Sequence, residues 1–444
     1  MTEHDRTTGP AHTPAPSNAA RILRLVHEDG PIARAEITRR TGLNRSTTLA
    51  LVGELVELGL VHEGPPPAGS AGSGVGRPSP IVRASADVVA AAVTVEIDAV
   101  EVALVGLDGT VRRRQVEAQV RPPSAAEAVD VVARLLDQVR VTGAETTGAE
   151  TTGAETTGAE TTGTGTGPAP APGQLRLVGV GVAVPGTVRA EDGSVQYAPH
   201  LGWHDEPFAA PLADRTGLPV RAANDANLGA WAERLAGSGR GVDDLVYLNG
   251  GASGIGGGVI SGGRPLSGAD GYAGELGHTF VAANGIRCHC GAVGCLETEA
   301  SRDALTTVAG TAPDDLAALA GALAADDPAT ERVVDRQVDA LATALRNAIH
   351  TVNPEVVVLG GFLGVLLDHV GDRIVTAVRA QSMAGTADRL RIVPAALGRD
   401  VLVHGAAEIG FRDLLRDPGT VTTAVATTTP TSDRDDAAEE ARTP

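Results

Sequence analysis

The 444-residue chain contains no lysine, so all 36 of its basic Lys and Arg positions are arginine. A genome biased toward GC-rich codons accounts for this more simply than any demand for guanidinium chemistry. Against these arginines stand 55 acidic residues, a formal net charge of −19. That balance excludes a protein that coats nucleic acid through bulk charge, so any DNA contact has to be local. Aromatic residues make up only 2%. The core must therefore be built from Val, Leu, Ile and Ala, as in parallel sheets covered by helices, and an α/β fold is expected. No stretch of about 18 uncharged apolar residues occurs, which excludes a membrane-spanning helix. The segment from Met1 to Ser17 lacks the apolar region of a secretory signal, so a cytoplasmic protein with no membrane partner is expected. What is present is enough to fold, with 42% hydrophobic and 20% charged residues. The length exceeds one average domain of roughly 100–200 residues, so two or three units are expected.

Residues 1–17 read as a disordered tail and 18–83 as a separate small domain. From Val88 the pattern becomes hairpin-like, with Val93, Val95 and Ile97, then Val100, Val102 and Leu104, a turn at Asp108-Gly109 and a third run to Val120. Ser124 and Glu127 form a capping box ahead of a helix whose apolar face is Ala128, Val132, Leu135, Leu136 and Val139. Four copies of TGAET follow within 142–173. They offer almost no apolar side chain and read as a disordered insertion in a surface loop of a larger domain spanning 84–416. A strand is expected from Leu175 to Val184, a helix over Ala226 to Ala236, a strand over Asp244 to Leu248, and a long helix ending near Val352. A buried parallel strand is expected at Val356 to Leu359 and a disordered tail over 417–444.

Within the small domain, helices are expected over Ala20–Val26, Arg34–Thr41 and Asn44–Leu58, with Gly42 in the turn between the last two. This spacing suits a helix-turn-helix, and a helical protein-interaction module is the alternative. Asn44 is a good N-cap for a helix whose first turn carries Arg45, Ser46, Thr47 and Thr48, the end that would enter a major groove. Val52, Leu55 and Val56 are expected to face the core. Leu60-Val61-His62 and Ile81-Val82-Arg83 are expected to pair as a wing, with Arg77 in its loop reaching a minor groove or a phosphate. Basic and acidic residues cancel between Asn18 and Glu63, so binding to double-stranded operator DNA would depend on the arginines of one face and on dimerisation.

All three cysteines fall in one stretch, Cys288, Cys290 and Cys295, with His289 among them and His278 ten residues upstream. In a reducing cytosol three thiolates and one imidazole suit a tetrahedral, structural zinc ion, and the spacing leaves His278 and His289 open as the fourth ligand.

The run Gly274-Glu275-Leu276-Gly277-His278, followed by Cys288-x-Cys290-Gly-x-x-Gly-Cys295-Leu-Glu297, resembles the ROK family of sugar kinases and sugar-responsive repressors. The resemblance extends over roughly Val88 to Leu415, and the preceding helix-turn-helix is what the family's regulator branch carries. It implies a two-lobed ribonuclease-H-like α/β fold, as in actin and hexokinase, with His278, Cys288, Cys290 and Cys295 as zinc ligands. It also implies that Asn224, Asp225, Glu275, His278 and Glu297 bind a sugar or sugar-phosphate effector. Carboxylates, an amide and an imidazole are suited to a ring of hydroxyls in a partly dry cleft. If the 275–278 stretch is helical, Glu275 and His278 lie on one face.

In kinases of the family Asp225 would be the base that takes the proton of the sugar hydroxyl, and it is present here. The family's first phosphate cradle, an Asp-Gly-Gly-Thr turn, is matched by Asp98-Ala99-Val100-Glu101, where side chains obstruct the backbone and Glu101 adds charge beside a phosphate. A second glycine-rich turn, Asn249 to Gly258, is retained. The expectation is a carbohydrate-responsive transcriptional repressor, a homodimer or homotetramer without catalysis. An active ATP-dependent sugar kinase using Asp225 is the alternative.

Overall fold

A computed structural model of the chain describes residues 16–66, 79–141, 174–251, 253–313, 315–325 and 327–419. The expected insertion over 142–173, Arg77, and most of both expected tails lie outside the described residues.

The first unit comprises α1 (Asn18–Asp29), β1 (Ile32–Ala33), α2 (Arg34–Thr41), α3 (Arg45–Glu57), β2 (Val61–Gly64) and β3 (Ile81–Ala84). Ser17 caps α1 through a bond from the Ala20 amide, and Gly42, at φ 71°, makes the left-handed turn between α2 and α3. Asn44 caps α3, its Oδ1 accepting from the Thr47 amide at 2.8 Å. The β2–β3 wing is antiparallel, pairing Val61 with Ala84 and His62 with Arg83. A third strand, β1, pairs with β3 and was not expected, since two residues carry no periodicity. One expectation fails here: Val56 is 40% exposed, because on a helix it points about 100° away from the buried Leu55.

The first lobe holds β4 (Val88–Val95), β5 (Ala99–Gly106), β6 (Val111–Ala118), α4 (Ala125–Val141) and β7 (Arg176–Val184). It continues with β8 (Thr187–Val188), β9 (Val195–Ala198), β10 (Trp203–Glu206), α5 (Ala209–Thr216) and β11 (Val220–Asn224). Its main sheet has the order β11-β7-β4-β5-β6, parallel at β11, β7 and β4 and antiparallel beyond. The capping box forms: the Ser124 amide donates to Glu127 Oε2 at 2.8 Å and the Glu127 amide to Ser124 Oγ at 3.3 Å.

The second lobe holds α6 (Asp225–Ala236), β12 (Leu245–Gly251), β13 (Gly254–Ser261), β14 (Arg264–Pro265), α7 (Leu296–Glu299), α8 (Arg302–Ala309) and α9 (Leu316–Leu323). It is completed by α10 (Pro328–Val352), β15 (Val356–Gly361), α11 (Phe362–Gln381) and β16 (Arg391–Pro394), after which α12 (Val401–Gly410) and α13 (Arg412–Arg416) return to the core of the first lobe. Its sheet runs β14-β13-β12-β15-β16, with β15 parallel to both neighbours as expected for a buried apolar strand. The whole is the α/β two-lobed architecture, preceded by a winged helix-turn-helix.

Strand β4 is buried along its entire length, and its two faces are built differently. Val89, Val93 and Val95 pack toward α4 and α5, while Ala90 and Ala92 belong to the core that contains Val403, Ala406 and Ala407 of α12. The small residues let α12 lie almost on the sheet. A Cβ at Gly181 would stand 1.8 Å from the Ala406 carbonyl oxygen, and one at Gly405 would stand 2.4 Å from that of Leu228 on α6. Helix α12 is thus clamped between the sheet and α6. The same core continues through Phe411, Leu414 and Leu415 into Ile22, Leu23 and Val26 of α1, so the helix-turn-helix shares a core with the first lobe.

His27 of α1 seals that junction. Its side chain is 5% exposed, its Nε2 lies 2.9 Å from Glu408 Oε1 on α12, and its Nδ1 lies 2.6 Å from the Leu107 carbonyl oxygen. Burial works against its charge, yet Glu408 prevails and the imidazole is raised from 6.5 to about 9. Arg240 Nη2 donating to the Asp29 carbonyl (2.7 Å) and Arg176 Nη1 to that of Leu58 (2.9 Å) add two further ties.

Candidate functional site

A cleft of about 640 Å³ opens where the two lobes meet. Its floor is set by the β11–α6 junction. Asn224 ends β11, and its Oδ1 caps α6 by accepting from the Asn227 amide at 2.9 Å while its Nδ2 donates to the Gly186 carbonyl at 3.0 Å. Asp225 opens α6 and accepts from the Ala226 amide at 2.8 Å. Burial, with Glu275 adding to it, raises the Asp225 carboxyl from 3.8 to about 6. Glu275 is itself raised by burial, partly offset by His278. Asn224, Asp225, Glu275, His278 and Glu297 all line this cleft.

The 275–278 stretch is a single 3₁₀ turn, Leu276–His278, rather than an α-helix, with Glu275 at its start. A tighter turn still brings i and i+3 together. Glu297, at the start of α7, is nearly buried, its Oε1 3.1 Å from His289 Nδ1 and 3.5 Å from His278 Nδ1. Gly254, at φ 120°, permits this approach, since a Cβ there would stand 2.4 Å from Glu297 Oε2.

His278, Cys288, Cys290 and Cys295 place four ligand atoms within 4.8 Å of one another, enough to hold a metal ion. Cys288 Sγ lies 3.6 Å from His278 Nδ1, and Cys290 Sγ 3.7 Å from Cys295 Sγ. A tetrahedral zinc ion with Zn–S of about 2.3 Å and Zn–N of about 2.0–2.1 Å spaces its ligands by roughly 3.5–3.8 Å, so the residues fit that ion. His278 rather than His289 completes this four-residue group: His289 Nδ1 stands 3.9 Å from Cys288 Sγ and 3.1 Å from Glu297 Oε1.

The opposite wall was missed in the sequence. Tyr197, His200 and Tyr272 line the cleft, His200 from just beyond β9 with its ring 5.1 Å from that of His289. Two of the chain's three tyrosines stand in this one cleft, the signal that aromatic scarcity offered.

The expected first cradle also lies elsewhere. Ala99 to Glu101 belong to β5, and the turn is Glu96-Ile97-Asp98, closed by the Glu96 amide donating to the Ala99 carbonyl at 2.8 Å. Glu101 does not add a free charge, because Arg114 Nε lies 2.8 Å from its Oε1. Glu96 is the acid of this turn, and burial, then Asp225 and Asp98, raise it from 4.5 to about 8, so that it holds its proton at neutral pH.

On the helix-turn-helix, Arg45 and Ser46 are exposed and Thr47 half-buried at the start of α3. Thr48 departs from the expected set. It is fully buried, on the same face as Val52 and Leu55, and its hydroxyl donates to the Asn44 carbonyl at 3.0 Å. Leu49, 52% exposed, takes its place on the outer face. Asn44 spends its Oδ1 on the cap.

Residues 169–412 match the model of the ROK family. The chain belongs to the ROK family. Residues 15–65 of this ROK protein match the IclR helix-turn-helix domain. It is 36% identical over 252 residues to a glucokinase of Thermotoga maritima, covering 52% of this chain and 78% of the relative. It is 24% identical over 397 residues to the xylose repressor of Bacillus subtilis, covering 88% and 94%. Among solved structures it is similar to a ROK family transcriptional regulator described as a homologue of the E. coli MLC protein, at TM-score 0.69 and 25% identity over 90% of this chain and 96% of that one. The similarity to the repressor and the regulator thus includes the helix-turn-helix, whereas the glucokinase matches about half of the ROK chain.

Proposed function

We propose that this ROK protein is a DNA-binding transcriptional repressor whose operator affinity changes when a sugar occupies the inter-lobe cleft, and that it does not phosphorylate that sugar. The observation that carries the reading is the continuous packing from cleft to DNA unit. Asp225 opens α6, α6 is clamped against α12 at Gly405, and α12 presents Glu408 to His27 of α1. A sugar drawing the lobes together moves α6 against the sheet, and α12 has no slack in which to absorb the shift. A packed element with two discrete arrangements is the physical requirement for coupling, and the sugar acts only by binding one arrangement more tightly.

The cleft donors suit a hydroxylated ring. Asp225, Glu275 and Glu297 accept from hydroxyls, and the imidazoles of His278 and His289 complement them. Four protein ligands close the sphere of a zinc ion held by His278, Cys288, Cys290 and Cys295, so that ion supplies structure, fixing the loop and the imidazole of His278. Arg45, Ser46, Thr47 and Leu49 present the base-reading face of α3. Two such units in a homodimer or homotetramer would address a two-fold operator. The protein acts in the cytoplasm.

The kinase reading draws on Asp225, whose raised carboxyl is suited to proton abstraction. The test separates the two. An operator selected from a random duplex pool is titrated with and without a panel of free sugars, and the same panel is assayed with ATP and magnesium. Sugar-dependent operator binding without turnover is expected; turnover of roughly 1–100 s⁻¹ would establish the kinase. Metal analysis should return about one zinc per chain, and none would remove the structural ion from this account.

A further inference from the structure

Among the described residues, Glu233 is the only acidic or basic side chain with no exposure at all. It stands on α6, about 12 Å along the helix from Asp225 on the cleft floor. An acid this deep costs free energy unless its oxygens find donors. The donors here are all backbone amides, and they come from two stretches far apart in sequence. The Ser238 amide donates to Glu233 Oε2 at 2.7 Å and the Ala396 amide to the same oxygen at 3.2 Å, while the Leu397 amide donates to Oε1 at 2.9 Å.

The carboxyl therefore fastens the turn that follows α6 to the connector between β16 and α12. Gly237 makes room for it, since a Cβ there would stand 2.0 Å from Glu233 Oε2. Ser238 Oγ adds a second stitch between the same two stretches by donating to the Pro394 carbonyl at 2.6 Å. The turn is held on its other side as well, where the amides of Gly237 and Gly239 both donate to the Glu233 carbonyl at 3.0 Å. One residue further on stands the exposed Arg240, whose Nη2 donates to the carbonyl of Asp29, the last residue of α1, at 2.7 Å. The far end of α6 thus reaches the DNA unit twice. One route runs through the connector into α12, which meets α1 at His27, and the other is the arm of Arg240. An apolar side chain at position 233 would fill the same space without fixing these directions, whereas hydrogen bonds weaken steeply with angle and specify them.

We propose that Glu233 is a positioning residue for the sugar response: it locks both stretches to α6, so that a shift of α6 at Asp225 arrives at α1 through α12 and Arg240 together. The proposal rests on the reading of this chain as a sugar-responsive repressor. E233Q keeps the shape of the side chain but sets an amide N–H against a backbone N–H, so one of the two grips is lost and α6 moves without carrying the connector.

The experiment titrates the selected operator with the full-length protein as wild type, E233Q and R240A, with and without saturating glucose, xylose, mannose or N-acetylglucosamine. Calorimetry gives the affinity for each sugar alone, and a melting curve is taken for each chain. The wild type is expected to show a coupling of roughly 5–150-fold, and both variants to fall below about twofold while binding the sugar alone as the wild type does. A residue that served only stability would lower the melting temperature and leave the coupling as it was. Wild-type coupling in E233Q or in R240A overturns the proposal and leaves the repressor reading standing. Should E233Q fail to fold, the exposed position 240 carries the test, and wild-type coupling in R240A alone overturns the proposal. A wild type that shows no coupling with any of the four sugars overturns the repressor reading along with it.

Discussion

Two sets of buried or half-buried charges lie at opposite ends of one packed path, and they are built on opposite plans. At the helix-turn-helix junction His27 and Glu408 are of opposite sign, 2.9 Å apart, and the second ring nitrogen of His27 meets a carbonyl. At the cleft Asp225 and Glu275 are acids of like kind, with Glu96 acting on Asp225 from the β4–β5 turn, and each is raised by burial. A matched pair is complete and ties two elements together. A like-charged set is, on the proposed function, completed from outside by the hydroxyl donors of a sugar. The first arrangement holds the DNA unit on the lobe, and the second marks where a ligand belongs.

The contrast is broken most sharply at the matched pair. His27→Ala leaves Glu408 partly buried without its partner, and the expected loss is about 3–5 kcal/mol in denaturant unfolding. A loss below about 1 kcal/mol would mean that the pair does not hold the junction.

The pH dependence of stability separates the two ends. His27 is raised from 6.5 to about 9, so the stability it contributes is complete below pH 6.5 and fades as pH climbs through 9. The linkage amounts to about 3 kcal/mol. The cleft acids are also raised, so their protonated forms favour the fold. Stability is lost as pH rises from about 4 through 6 for Asp225 and from 4.5 through 8 for Glu96. In E96Q the loss between 4.5 and 8 should flatten while the loss near 9 persists. A profile that flattens in both windows would merge what this account keeps apart.

Asp225→Asn should weaken the binding of a free sugar by roughly 10–100-fold, the worth of hydrogen bonds to a charged acceptor, yet leave the unliganded protein as stable or slightly more so. Calorimetry and unfolding curves check the two halves, and a variant that loses stability and binding together would make Asp225 a structural residue. The smallest expected effect is at the DNA face. Arg45→Ala should cost about 1–3 kcal/mol on a selected operator and much less on random duplex, as read by anisotropy. Equal losses on both would reduce Arg45 to a phosphate contact.

Much of this was legible in the sequence because it depends on local rules. The capping box at Ser124 and Glu127, the cap at Asn44, the left-handed Gly42 and the clustered cysteines each act within a few residues. What was not legible depends on rotation and on distance. Thr48 falls on the buried face of α3 by the turn of the helix, and the cradle shifts to Glu96-Ile97-Asp98 because β5 begins earlier than the motif suggested. His27 and Glu408 are 381 residues apart, and neither stands in a motif. His200 and Tyr197 reach the cleft through the β9–β10 hairpin, whose fold back over the site no local pattern records.

The central claim is that cleft and DNA unit are thermodynamically coupled through α6, α12 and His27. Coupling is reciprocal, so the affinity of a free sugar measured with and without saturating operator tests it directly. The account predicts a change of roughly 5–150-fold, matched by the same factor in operator affinity when sugar saturates. Identical sugar affinities in the two states would contradict it.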